Sequence, residues 1–168
     1  MPFLKFDKDY FKRKKAEGDI YEKEALKRAL QLANQNEPPH RHFKVGIVQT
    51  PFNYSTVHYD FQLVQKRCKN EMVVITFEVK FDKRSNDTDN FFIEFRDEWG
   101  RPSGIEITTA KYHILTDGTT YYLIKTETLR ANIHMLLQQK RLSVRHTHRG
   151  SYGYVLPRAV INELSDKI

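Results

Sequence analysis

The sequence predicts a single α/β domain in which a central mixed β-sheet is flanked by helices, and three stretches carry that expectation. Ala25, Leu26, Ala29, Leu30 and Ala33 recur at the spacing of one helix face. His58-Tyr59-Asp60-Phe61-Gln62-Leu63 alternates polar and apolar residues, the period of a half-buried strand. Met72-Val73-Val74-Ile75-Thr76-Phe77 is a nearly continuous apolar run rich in β-branched residues, as in a strand covered on both faces. A chain of 168 residues with 39% hydrophobic content is the size of one domain and can bury a sizeable core.

Taken in order, residues 1–17 mix Phe3, Phe6, Tyr10 and Phe11 with the run Lys12-Arg13-Lys14-Lys15 and read as a basic arm. Asp19 followed by Glu22 forms a capping box that opens the first helix, which stops between Asn34 and Pro39. Val45 to Val48 is a short apolar segment, a strand or a packed connection. Lys66, Lys69 and Asn70 mark a hairpin between the two apolar strands. A third strand, Phe91-Phe92-Ile93-Glu94-Phe95, sets Glu94 among aromatics. Ser103 suits the cap of a short helix near Gly104. Tyr112 to Leu115 and Thr120 to Ile124 flank Asp117-Gly118, so they form a hairpin or one strand continued after a kink. Thr126 opens a helix whose buried stripe is Leu129, Ile133, Leu136 and Leu137. Lys140 and Arg141 suit the negative end of its dipole. Arg145 to Tyr154 is a glycine-rich, basic, aromatic turn, and Val155-Leu156-Pro157 leads into a closing helix.

The net charge of +7 and a pI near 9.4 point to a polyanionic partner, nucleic acid first among them. The residues suited to phosphate contact are Lys12, Arg13, Lys14, Lys15, Lys111, Arg145, His148 and Arg149. A single cysteine, Cys68, excludes an internal disulfide and a cysteine-based zinc site. His40 with His42, and His146 with His148, lack an acid or cysteine at ligand spacing and argue against zinc; phosphate contact by Arg41, Arg145, His146, His148 and Arg149 suits these stretches better. No apolar stretch reaches membrane-spanning length and the N-terminus lacks a signal-peptide core, so the expectation is an intracellular protein without a membrane partner.

The chemistry concentrates between Tyr59 and Phe95. An apolar run that ends in Glu78, Lys80 and Asp82 places all three on one face for as long as the strand continues, with Asp60 upstream and Glu94 downstream. Clustered carboxylates repel, and burying them unpaired costs several kcal/mol, roughly, unless a cation relieves them. Hard oxygen ligands favour Mg²⁺ or Mn²⁺, which one or two carboxylates hold with waters completing the shell. Such a site suits metal-assisted hydrolysis of a phosphodiester. Asp60 and Glu78 are its candidate ligands and Lys80 its candidate for orienting the water or stabilising the transition state. Glu22, Asp82 and Glu94 are possible additions.

Asp60, then Glu78-x-Lys80 on the neighbouring strand after a short hairpin, resembles the PD-(D/E)XK nuclease superfamily. The segment Thr88 to Phe95 followed by Gly100-Arg101-Pro102-Ser103-Gly104-Ile105 is similar to its small phage and viral branch, and the resemblance spans roughly Gly18 to Lys125. It implies a restriction-endonuclease-like fold and a Mg²⁺-dependent DNA endonuclease occupying residues 1–168 as one domain. Gly18 followed by Glu22 looks similar to the helix acid of resolvase-like members. Selectivity for Holliday junctions would imply a homodimer with two symmetric sites. The alternatives are a restriction, repair or recombination nuclease on linear DNA, an RNA-processing nuclease, and a nucleic-acid-binding protein without catalysis. Two positions depart from the family pattern: Tyr59 stands where proline is common, and Lys111 where relatives usually carry an acid.

Overall fold

The computed structural model describes residues 8–46, 59–68, 71–147 and 150–168, with only the backbone course of residues 8–15 and 68. Helix α1 runs from Lys8 to Asn34, so it starts well before the capping box at Asp19. The segment ahead of Asp19 is rich in Lys, Arg, Ala and Glu, all good helix formers, and they carry the helix through Gly18. Asp19 and Glu22 are therefore interior residues rather than a cap.

Six strands form the central sheet: β1 (Lys44–Gly46), β2 (Phe61–Cys68), β3 (Glu71–Phe81), β5 (Tyr112–Thr116), β6 (Tyr121–Lys125) and β9 (Asp166–Lys167), in the order β1-β2-β3-β5-β6-β9. The sheet is mixed, because β3 and β5 are parallel while its other pairs are antiparallel. Asp117-Gly118 makes a β5–β6 hairpin, which settles the choice left open by the sequence. Between β3 and β5 the chain passes through α2 (Ser85–Thr88) and β4 (Asn90–Arg96).

Strand β4 does not join the central sheet. It pairs with β8 (Tyr152–Pro157), which pairs with β7 (Ser143–His146), giving a second, three-stranded antiparallel sheet. Both ends of the glycine-rich segment expected as a turn thus belong to the paired strands β7 and β8.

The alternation in β2 and β3 decides what each face meets. Phe61, Leu63, Phe77 and Val79 bury one face of the central sheet under Ala25 and Ala29 of α1. Leu115, Tyr122 and Ile124 bury the other face against Leu129 and Ile133 of α3 (Thr126–Gln138), Ile161 of α4 (Arg158–Leu164) and Phe91, Ile93 and Leu156 of the second sheet. Arg158 locks these layers together. Its guanidinium donates to Asp117 Oδ2 at 2.5 Å, the Tyr122 hydroxyl at 2.9 Å, Asp89 Oδ1 at 2.8 Å and the Ser85 carbonyl at 2.7 Å. Among the described residues, no helix is long and apolar enough to cross a membrane.

Candidate active site

Residues of β3 with even numbers face away from α1, so Glu78 and Lys80 project together on the side of the second sheet. Asp60 enters the same spot through the hairpin register. Phe61 lies opposite Phe77, and Asp60, one residue before β2, donates its N–H to the Phe77 carbonyl at 2.8 Å. Its Oδ2 accepts the Val79 N–H at 2.6 Å, which pins the carboxylate beside Glu78. Lys80 Nζ lies 3.3 Å from Glu78 Oε1. Together with Tyr59, Gly104 and Thr108 these side chains line a cleft of about 230 Å³.

The electrostatics of the cluster are unbalanced. Only 12% of the Glu78 side chain is exposed. Burial, then the charges of Asp60 and Glu22, push its carboxyl up to about 6 against the pull of Lys80. Burial also raises Asp60 above its ordinary value, opposed by the Val79 N–H and by Lys80. For Lys80, desolvation works to lower the ammonium, and Glu78, Asp60 and Glu94 together outweigh it and raise it. Two carboxylates at the mouth of one cleft thus share a single lysine and remain short of positive charge.

The remaining acids separate into different tasks. Glu94 comes from β4 on the other sheet, close enough for its charge to be felt by Lys80, and accepts the Ser103 hydroxyl at 2.8 Å. Ser103 therefore orients Glu94 and makes no side-chain cap on the 3-10 turn Gly104–Glu106. Gly104 has φ +48, and a side chain there would collide with the Glu94 carbonyl. Glu22 lies on α1 within electrostatic range of Glu78. Asp82 does not continue the face of Glu78 and Lys80, because β3 ends at Phe81. Its carboxylate accepts the N–H groups of Arg84 and Phe92, both at 3.0 Å, and ties the turn after β3 to β4.

Lys111 is exposed just before β5, where its N–H bonds to the Thr76 carbonyl, and it lines a cleft of about 380 Å³ with Lys125 and Arg130. Arg145 lies on β7, beside a cleft of about 680 Å³ that also reaches Lys80 and Glu94. The side chains of Lys12, Arg13, Lys14 and Lys15, and all of His148 and Arg149, lie outside the described residues. His113 escaped notice in the sequence. It pairs in register with Glu78, is buried against Thr126 Oγ1 at 2.9 Å, and burial with the charges of Lys80 and Arg130 lowers it to about 3, so it is neutral. The signal was a polar residue inside an apolar strand. Arg130 also went unremarked; it donates to the carbonyls of Ile105 and Thr108 and so braces the wall of the cleft.

Among the described residues, no group of three His, Cys, Asp or Glu side chains could hold a metal ion. Asp60 and Glu78 make a two-carboxylate site, which fits a hard cation that keeps most of its waters. No protein-family model matches the chain. A search of curated proteins likewise finds no match. Among solved structures the chain is similar to a nuclease from a fusselovirus, with 12% identity over 94% of this chain and 88% of that one and a TM-score of 0.44. A match that loose transfers neither a residue role nor an activity.

Proposed function

We propose that the protein is a divalent-metal-dependent DNA endonuclease of the PD-(D/E)XK kind with a restriction-endonuclease-like fold. The observation that carries this reading is the convergence of Asp60, Glu78 and Lys80 in one cleft, with Glu78 raised to about 6 for want of compensating charge. Carboxylates kept in that state cost stability, and such perturbation is concentrated at functional sites.

Asp60 and Glu78 are the residues to hold Mg²⁺ or Mn²⁺. When bound, the cation supplies Lewis acidity and neutralises charge on the phosphate. Lys80 stays protonated, since its carboxylate neighbours raise it, and so acts as a donor rather than a base: it orients the attacking water or holds a phosphate oxygen. Glu94, steadied by Ser103, helps keep that ammonium in place. Arg145 on one side and Lys111 with Arg130 on the other flank the cleft and suit the phosphates of a strand passing through it.

The test is cleavage of a labelled four-way junction, a linear duplex and a single strand in Mg²⁺, in Mn²⁺ and in chelator, beside Glu78→Ala. Metal-dependent cleavage lost in Glu78→Ala supports the reading, and retained cleavage in that variant removes it. Paired symmetric nicks confined to the junction would add resolvase selectivity and require a homodimer. Tight, metal-independent binding without cutting would leave a binding protein.

A further inference from the structure

A second cleft leads away from the Lys80 side of the site. Its volume, about 680 Å³, lies within the range of sites that enclose small organic ligands, roughly 300–1,000 Å³. It runs along the outer face of the second sheet, and Lys80, Glu94, Phe92, Arg84, Arg145 and Asn90 are among its lining. Strand alternation explains why Phe92 is there. Phe91 and Ile93 are buried in the core, so Phe92 and Glu94 face the other way.

Phe92 is not merely an apolar residue left outside. Gly153, opposite Glu94 on β8, has no side chain, and a Cβ there would press on Cζ, Cε1 and Cε2 of the Phe92 ring together. Three ring atoms at similar range put the glycine beneath the flat of the ring rather than at its rim. The ring thus rests on the neighbouring strand by one face and lends the other to the cleft. The Phe92 N–H is held by Asp82, which fixes the backbone beneath it. Arg84 and Arg145 border the same cleft, and neither has an ion-pair partner among the described residues.

A flat aromatic face in a cleft bordered by two guanidinium groups that have no ion-pair partner among the described residues matches one chemistry closely. Stacked bases inside a duplex present no face to a side chain, whereas an unpaired base does, with a phosphate on either side. We infer that this cleft is a subsite for an unpaired nucleotide flanking the scissile phosphate, its base stacked on Phe92 and its phosphates met by Arg84 and Arg145. The inference rests on the nuclease reading and adds the substrate class, nucleic acid with a single-stranded or splayed segment beside the cut.

The experiment separates the two. Binding of a fluorescein-labelled oligothymidylate and of a blunt duplex of equal length is measured in chelator, where no cleavage occurs, for the wild type, Phe92→Leu, Phe92→Trp and Arg145→Gln. Phe92→Leu keeps apolar cover over Gly153 and should weaken the single strand roughly 5- to 150-fold, the worth of one stacked base, while leaving the duplex unchanged. Phe92→Trp should bind the single strand at least as well as the wild type. Arg145→Gln, at an exposed side chain, should reduce the dependence of log K on log salt by about 0.7 for the single strand. Unchanged single-strand affinity in a folded Phe92→Leu protein, or an equal loss for single strand and duplex, overturns the subsite. A wild type that binds through Phe92 yet cuts nothing in Mg²⁺ or Mn²⁺ keeps the subsite and removes the nuclease reading.

Discussion

Asp117 with Arg158 and Glu78 with Lys80 both set a shielded carboxylate against a cation, and they behave in opposite ways. At the Asp117-Gly118 turn, Asp117 is buried but saturated: its Oδ1 accepts the N–H groups of Thr119 and Thr120 and the Thr119 hydroxyl, and its Oδ2 takes Arg158. Burial alone would raise its carboxyl, yet those hydrogen bonds hold it well below the usual range. In the cleft below β3, Glu78 has Lys80 for a partner but must share it with Asp60, and its carboxyl rises to about 6. The first arrangement is complete within the chain. The second leaves Asp60 and Glu78 to divide one ammonium, so similar residue types make a rivet in one place and an under-compensated cluster in the other.

Mutation should pull the two apart. Glu78→Ala is expected to reduce metal-dependent cleavage by about 10³-fold, the scale on which electrostatic groups at a reacting centre matter, with no fall in thermal stability. Single-turnover assays and a melting curve on the same preparation check both halves. Asp117→Ala should do the converse. Leaving Arg158 without its buried partner costs roughly 3–5 kcal/mol, a drop in Tm of about 6–20 °C for a domain of this size, while the folded fraction still cuts.

Acidity sharpens the contrast further. Because Glu78 is raised from 4.5 to about 6, its ionisation costs stability; the cost is full above about 6 and gone below 4.5. In chelator, Glu78→Gln should therefore stabilise the protein by about 1–2 kcal/mol at alkaline pH, and denaturant melts should show that gain vanish as the solution is acidified. Asp117 runs the other way. Its contribution is fully present above 3.8 and is lost as pH falls from there through its depressed folded value, so wild type should lose stability in that acid range and Asp117→Asn should lose less. The smallest effect belongs to Ser103→Ala, which frees Glu94: about a tenfold fall in kcat with KM unchanged, and a stability change of about 1 kcal/mol or less.

Period-two alternation was enough to find β2, the β-branched apolar run was enough to find β3, and the charged end of that run was enough to find Glu78 and Lys80, because these signals are local. Three features were hidden, each for its own reason. The basic stretch before Asp19 joined α1, since helix formers on both sides outweighed a capping pattern in the middle. The second sheet went unseen because β7 is exposed along its length and shows no apolar face until β8 and β4 lie beside it. Asp82 shared the spacing of Glu78 and Lys80 but fell one residue beyond the strand, and there the backbone N–H groups of Arg84 and Phe92 claimed it.

Gly104 carries no chemistry, yet the Glu94 carbonyl occupies the space where any side chain would go, and its φ of +48 suits glycine. Its effect is on how the sequence can drift. Saturation libraries sorted once for folded abundance and once for cleavage should disagree at Glu78, which only cleavage needs, and agree at Gly104, where replacement displaces the wall of the cleft itself. Descendants of this chain could exchange much of their surface and still be aligned by that empty position.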